Sequence, residues 1–353
     1  MKRRPRLGIT MGDPAGIGPE IVIKALLQQH VYDVCVPVIV ADPDVMRRAV
    51  RDIVQTDMEI RILDKAADAH GIRGVMDVLP LSGLSLDGIA LGKVDPLCGE
   101  AAFRSVETVI RLALAGEIDG TVTAPLNKEA MNLAGHHFDG HTEIYAHFTG
   151  TKNYTMLLAD GNLRVAHVST HVPLAEASAR ITRERVLTVI RLGNAACKKF
   201  GITSPSIGVA GFNPHAGENG LFGREEIDMI GPAIADAVAE GVDVAGPFPP
   251  DTVFCKAAGG GFDLVVAMYH DQGHIPLKML SFKYDATTRA WSGMTGVNIT
   301  LGLPIVRASV DHGTAFENAG KNVAEPQSMI HAIEYGAMLA MGVAKPVVGT
   351  FAL

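Results

Sequence analysis

The residues best suited to chemistry gather in Asp263-Leu264-Val265-Val266-Ala267-Met268-Tyr269-His270-Asp271-Gln272-Gly273-His274, with Lys278 close behind. An imidazole, a carboxylate and an ammonium group within nine residues can bind a metal, move a proton or hold an anion. Two more histidines stand in comparable settings. His171 closes Arg164-Val165-Ala166-His167-Val168-Ser169-Thr170-His171-Val172-Pro173, and His215 lies in Asn213-Pro214-His215-Ala216-Gly217-Glu218 after the run Ser206–Phe212. Three imidazoles with open positions suit a divalent metal that keeps room for substrate and water. Asp251, in the proline-stiffened stretch Gly246-Pro247-Phe248-Pro249-Pro250-Asp251-Thr252, could orient a ligand histidine or act on a substrate, and equally reads as a helix cap.

The elements that position these groups follow from the flanking patterns. Each of the three histidines comes after a short apolar, β-branched run, the mark of a strand buried on both faces. In open α/β sheets ligands bind outside the carboxyl ends of such strands. Alternation along 164–173 predicts a strand ending at His171, with His167, Ser169 and His171 on one face.

Earlier in the chain, the strand Leu7–Met11 runs into Gly12-Asp13-Pro14-Ala15-Gly16-Ile17-Gly18-Pro19-Glu20 and a helix through Leu27. Such a turn can aim backbone N–H groups at an anion, or be a structural turn. Its spacing is neither the dinucleotide fingerprint nor the P-loop. The pattern then predicts a strand Val36–Ala41, an amphipathic helix Gly99–Ala115 and a strand Gly120–Ala124 leading to Pro125-Leu126-Asn127-Lys128. Phe138-Asp139-Gly140-His141-Thr142-Glu143 opens another helix. There His141 and Thr142 could face an anion, or Thr142 could serve as an ordinary cap. A helix from about Thr182 to Phe200, an exposed loop or hairpin over 282–295 carrying Trp291, a strand Val297–Leu303 around Asn298 and a closing helix Gln327–Met341 complete the series. Alternating strands and helices imply an α/β protein with a mainly parallel sheet and right-handed crossovers. The expected organisation is a first domain from 1–128 plus 307–353 and an inserted second domain, 129–306, carrying the three histidines.

Composition bounds the function. With 48% hydrophobic and 20% charged residues over 353 positions, the chain reads as an ordinary soluble globular protein. Its net charge of −7, with no basic run beyond Lys2-Arg3-Arg4, argues against nucleic acid. The cysteines Cys35, Cys98, Cys197 and Cys255 form no Cys-x-x-Cys pair and read as buried, reduced thiols. No stretch approaches the roughly 18 uninterrupted apolar residues of a membrane span. No apolar core of a signal peptide follows the basic start, so a cytoplasmic location is expected.

Several motifs then coincide. They are Gly-Asp-Pro-Ala-Gly-Ile-Gly-Pro-Glu at 12–20, Gly-His-Thr-Glu at 140–143, Thr-His at 170–171, Asn-Pro-His-Ala-Gly-Glu at 213–218, Tyr-His-Asp-Gln-Gly at 269–273 and Val-Asp-His-Gly-Thr-Ala at 310–315. In this order the chain resembles the 4-hydroxythreonine-4-phosphate dehydrogenase family of vitamin B6 biosynthesis, from about Leu7 to Met341. The resemblance implies two α/β/α domains like those of isocitrate and isopropylmalate dehydrogenases, with the active-site cleft between them and at a homodimer interface. It implies NAD as cofactor and His171, His215 and His270 as ligands of a divalent metal, zinc first, with magnesium, manganese or cobalt as alternatives. His141, Thr142, Lys278, Asn298 and Arg307 match the positions that bind the phosphorylated substrate. Asp251, Asp271 and Lys278 match the catalytic groups near the metal. His312, Gly313, Thr314, Ala315 and Glu317 resemble the loop that holds the adenosine half of NAD, where an acid at position 317 favours NAD over NADP.

Thr-Ala-Pro-Leu-Asn-Lys-Glu at 123–129, Asn-Gly-Leu-Phe-Gly at 219–223 and His-Asp-Gln-Gly-His-Ile-Pro-Leu-Lys at 270–278 resemble a branch that oxidises 4-phospho-threonate or 4-phospho-erythronate. The expected reaction is oxidation with decarboxylation. The stretch from Lys278 to Asn298 is longer than the family shows. Alternatives are a dehydrogenase of a non-phosphorylated dihydrodiol carboxylate, as in terephthalate breakdown, and a three-histidine hydrolase or binding protein.

Overall fold

The computed structural model describes residues 3–287 and 290–342. Its strands, in chain order, are β1 (Arg6–Thr10), β2 (Val36–Ala41), β3 (Glu59–Ile62), β4 (Val75–Pro80), β5 (Gly120–Thr123), β6 (Thr155–Asp160) and β7 (Leu163–His167). They continue as β8 (Ile207–Ala210), β9 (Val244–Phe248), β10 (Leu264–Ala267), β11 (Lys283–Asp285), β12 (Ala290–Ser292), β13 (Val297–Leu301) and β14 (Arg307–Val310). The chain forms two compact units.

The first unit comprises, among the described residues, 3–152, Gly293–Val297 and Leu303–Met341. Its strands run β3-β4-β2-β1-β5-β14, and all five pairings between neighbours are parallel, as the strand–helix alternation predicts. Residues Leu7, Ile9, Val38, Ile39 and Val40 have no exposed surface, so β1 and β2 are covered on both faces. Residues 129–152 belong here and not with the inserted segment as expected. Their helices Lys128–Leu133 and His141–Thr149 bury Met131, Ile144 and Tyr145 against Phe103, Val106 and Ile110 of the helix Pro96–Leu114. That approach needs a glycine: a Cβ on Gly99 would lie 2.1 Å from the Ala130 carbonyl oxygen.

The second unit comprises Asn153–Ser292 and Asn298–Gly302 among the described residues. Its strands run β6-β7-β10-β8-β9, with β13 beside β6. Strands β7, β10, β8 and β9 are parallel, and β6 is antiparallel to β7. Leu158, Val165, Val265, Ala267 and Leu277 form the centre of its core, with Phe254 and Phe262 at the rim. The stretch 164–173 departs from the expected strand, which ends at His167; His171 lies beyond it in a bend. Past β10 the chain turns into the helix His270–Ser281, which accommodates Pro276. Strands β11 (Lys283–Asp285) and β12 (Ala290–Ser292) pair as an antiparallel ribbon. Cys255 is exposed, while Cys35, Cys98 and Cys197 are buried, and all four are free. Cys255 departs from the expected burial because it faces outward on the helix Pro250–Ala258, whose Val253, Phe254 and Ala257 take the inner face.

Candidate active site

In the first unit cationic and hydrogen-bonding side chains gather at the start of a helix. Arg307 opens β14 and is only 3% exposed. Its guanidinium lies 5.7 Å from the centroid of the Tyr145 ring, and Nη2 donates to Thr123 Oγ1 at 3.3 Å. Tyr145 is itself fixed by donating to Thr121 Oγ1 at 2.8 Å. Burial pulls the Arg307 pKa down to about 10, with the Tyr145 and Glu143 charges opposing, so it stays cationic at neutral pH.

His141 and Thr142 begin the helix His141–Thr149, whose cap residue is Gly140. Its free backbone N–H groups favour negative charge there. Thr142 makes no capping bond; the cap is Gly140, without a side chain. His141 is held well below its usual pKa, first by burial and then by the charges of Arg307 and Lys128, while a hydrogen bond to the Ala124 backbone works the other way. It is therefore a neutral imidazole. Its Nε2 is buried with no hydrogen-bond partner among the described residues. A buried polar atom without a partner is costly, and a ligand oxygen or proton donor would satisfy it. Sequence reasoning passed over Lys128 as a site residue. It follows the cap Asn127, whose side chain accepts from Ala130 N, and its Cε lies 3.7 Å from where a Cβ on Gly140 would stand.

The glycine-rich turn and the loop His312–Glu317 pack on each other in this unit. Ile17 N donates to the Thr314 carbonyl at 3.1 Å, and a Cβ on Gly16 would lie 3.0 Å from Thr314. Gly92 N donates to the Ala15 carbonyl at 2.8 Å, and a Cβ on Gly92 would stand 2.7 Å from the Phe316 carbonyl oxygen. Ala315 is left-handed, Gly313 opens on empty space and Glu317 is exposed. Asp13 anchors the turn: its Oδ1 accepts from Ala15 N at 2.8 Å, and burial raises its pKa to about 6.

In the second unit, β7, β10 and β8 are adjacent and parallel, and their carboxyl ends lead to His171, His270 and His215. His171 and His270 have ring centroids 5.6 Å apart. Both line a cavity of about 340 Å³ with Thr170, Leu174, Ala177, Tyr269 and Asp271. His270 Nδ1 and Asp271 Oδ1 are 2.7 Å apart. Behind them, His274 stacks on His270 at 3.6 Å, and the buried His167 lies 4.8 Å from His274. Burial drives the pKa of His167 down to about 3 and that of His274 to about 4.

His215 is 65% exposed, with Nδ1 3.4 Å from Glu218 Oε2. Among the described residues no three His, Cys, Asp or Glu side chains are gathered as a ready metal cage. Lys278, two turns along from His270, lies 4.8 Å from the Phe282 ring. Asp251 is exposed in the first turn of the helix Pro250–Ala258 and makes no cap there. Asn298, on β13, has its Oδ1 buried without a partner among the described residues.

A residue that gave no chemical signal in the sequence ties this unit's strand ends together. Gln272 accepts from Met268 N at 2.7 Å and donates to the Gly211 carbonyl at 2.8 Å, bridging the ends of β10 and β8.

Residues 33–336 match the family described as pyridoxal phosphate biosynthetic protein PdxA. The D-threonate 4-phosphate dehydrogenase of Pectobacterium atrosepticum is 46% identical over 95% of this chain and 99% of its own length. The crystal structure of 4-hydroxythreonine-4-phosphate dehydrogenase from Klebsiella pneumoniae matches with a TM-score of 0.83 and 44% identity, over 95% of this chain and 99% of that one. A terephthalate 1,2-cis-dihydrodiol dehydrogenase from Burkholderia xenovorans is more distant, at 32% identity and a TM-score of 0.66 over 95% of this chain and 98% of that one. The expected dehydrogenase class agrees with these relatives, and the chain belongs to the PdxA family.

Proposed function

We propose that the protein is an NAD-dependent, divalent-metal-dependent dehydrogenase that oxidises and decarboxylates a 4-phosphorylated hydroxy acid, with 4-phospho-D-threonate as the first candidate and 4-phosphohydroxy-L-threonine as the second. It would act as a cytoplasmic homodimer. The observation that carries the reading is the buried Arg307 with the neutral His141 and the exposed Lys128 at a helix N-terminus, two cations and hydrogen-bonding groups that suit a phosphate dianion. The threonate preference rests on the motifs at 123–129, 219–223 and 270–278 and on the name of the 46% identical relative.

The donor set fits a divalent ion in kind: two imidazoles share one cavity with an adjacent carboxylate, and His215 follows the neighbouring strand. When bound, such an ion supplies positive charge that acidifies the substrate hydroxyl, and the nicotinamide supplies the hydride acceptor. The protein's groups do the rest. Arg307 and Lys128 neutralise the phosphate, and His141 and Thr142 fix its orientation. Asp271 or Asp251 takes the hydroxyl proton, and Lys278 offers a proton to the carbon that loses CO₂. Asn298 would use its buried, unpaired Oδ1 to accept from a substrate hydroxyl. The loop His312–Glu317 would hold the adenosine, with the exposed Glu317 carboxylate accepting from the ribose hydroxyls.

The test is NADH formation followed by absorbance with Zn²⁺, Mn²⁺ or Mg²⁺ added. Turnover of 4-phospho-D-threonate well above 4-phosphohydroxy-L-threonine supports the reading. Turnover of a dihydrodiol carboxylate alone, or none of these, overturns it.

A further inference from the structure

His215 opens a run of six consecutive residues of positive φ: His215 at 53°, Ala216 at 55°, Gly217 at 80°, Glu218 at 43°, Asn219 at 56° and Gly220 at 95°. Side-chain-bearing residues enter this region singly as a rule, because Cβ crowds the following carbonyl. A left-handed run persists only where its surroundings over-determine it, and such strain collects at functional sites.

The surroundings here are one buried carboxylate. Glu226 is 4% exposed. Its Oε1 accepts from Phe212 N and Asn213 N, both at 2.7 Å, and its Oε2 accepts from Asn213 Nδ2 at 3.0 Å. Three donors converge on it from the residues that lead into the loop. Two glycines let the loop close on this group: a Cβ on Gly217 would stand 2.6 Å from Glu226 Oε2, and one on Gly211 would stand 2.7 Å from Ala216 Cα. Glu225 adds a tie to the cavity wall. It accepts from Asn213 Nδ2 and from Ser178 Oγ, both at 2.8 Å, and Ser178 follows the segment whose Leu174 and Ala177 line the cavity of His171 and His270.

We propose that Glu226, seconded by Glu225, is a positioning residue that locks the left-handed loop and so sets where His215 points relative to the cavity of His171 and His270. The inference rests on the reading of His215 as a metal ligand. Outer partners of this kind commonly change metal affinity by about 10- to 100-fold.

The test uses the full chain, with Mn²⁺ affinity read by titration calorimetry and amide hydrogen exchange over 212–219 read in the metal-free protein. Glu226→Ala is expected to weaken Mn²⁺ binding about tenfold or more and to speed exchange in the loop by a similar factor. Glu226→Gln falls between, since its amide oxygen still accepts from the two backbone N–H groups while its NH₂ faces that of Asn213. Gly217→Ala acts in the same direction with the carboxylate left in place. His215→Ala weakens Mn²⁺ binding without speeding exchange, and Glu226→Ala added to His215→Ala weakens it no further, because both act through one imidazole. Wild-type exchange in folded Glu226→Gln and Gly217→Ala would overturn the proposal, as would additive losses in the double variant. Unchanged Mn²⁺ affinity in His215→Ala would instead overturn the ligand role of His215, while the exchange comparison still decides whether Glu226 holds the loop.

Discussion

At the scale of single residues, His167 gives the clearest pH signature. Its ring is buried and its pKa is driven down to about 3, first by desolvation and then by the neighbouring His274. The folded chain therefore resists a proton that the unfolded chain accepts near the ordinary histidine pKa of about 6.5. The associated stability is present above that value and is lost as pH falls towards about 3. Between pH 7 and pH 5, wild type should lose up to about 2 kcal/mol more than His167→Asn, read by urea titration at each pH. Arg307 gives a kinetic signature. Arg307→Lys keeps the charge but loses the planar contact with Tyr145 and the fork suited to phosphate. KM for the phosphorylated substrate should rise about tenfold with a smaller change in kcat, measured by steady-state kinetics. The sequence placed His141 and Arg307 in one role only through motif resemblance. Neither neighbours the other in the chain, and what joins them is the parallel pairing of β14 with β5. Lys128 was legible as part of a loop but not as a charge beside Gly140, because that proximity is made by two helix starts.

At the scale of elements, Gln272 and Gly99 carry what pattern reading could not. Gln272→Leu would strip the Met268 N–H and the Gly211 carbonyl of their side-chain partner in a buried setting. A loss of about 2 kcal/mol or more is expected, together with weakened metal binding, since both histidine-bearing strand ends are released. Denaturant unfolding and calorimetry check the two effects. Gly99→Ala would press a methyl group into the Ala130 backbone, which cannot swing away as a side chain could. That overpacking should cost about 1–3 kcal/mol and loosen the helix that starts at Lys128. Strand cores were readable because both-face burial leaves continuous apolar runs: the boundaries of Val36–Ala41 and of the helix Gln327–Met341 agree with the pattern. The strand expected to reach His171 stops at His167: Val168 N still donates to the Ala267 carbonyl at 2.8 Å, but the alternation continues into residues 169–171, which extend no strand ladder among the described residues. The helix from His270 was hidden by its own glycine and proline, which lower helix propensity while packing settles the outcome.

At the scale of the whole molecule, the α/β class was legible from the alternation of elements, whereas the boundary of the first unit was not. Helices 128–149 join that unit through side chains such as Tyr145, and nothing in their local sequence names their packing partners. A molecule that binds a metal only when folded gains stability on loading. At about 100-fold excess over Kd, Mn²⁺ should add about 2.7 kcal/mol, and a chelator should remove it. Differential scanning calorimetry with and without chelator measures this. The ribbon β11–β12 has a consequence of another kind. The chain's single tryptophan, Trp291, sits there, 61% exposed, 5.1 Å from Tyr284 and directly after the helix that begins at His270. Its fluorescence therefore reports on one short ribbon in contact with water and not on either core. The natural optical signal of this protein is a local readout of what happens at the far end of the helix that carries His270.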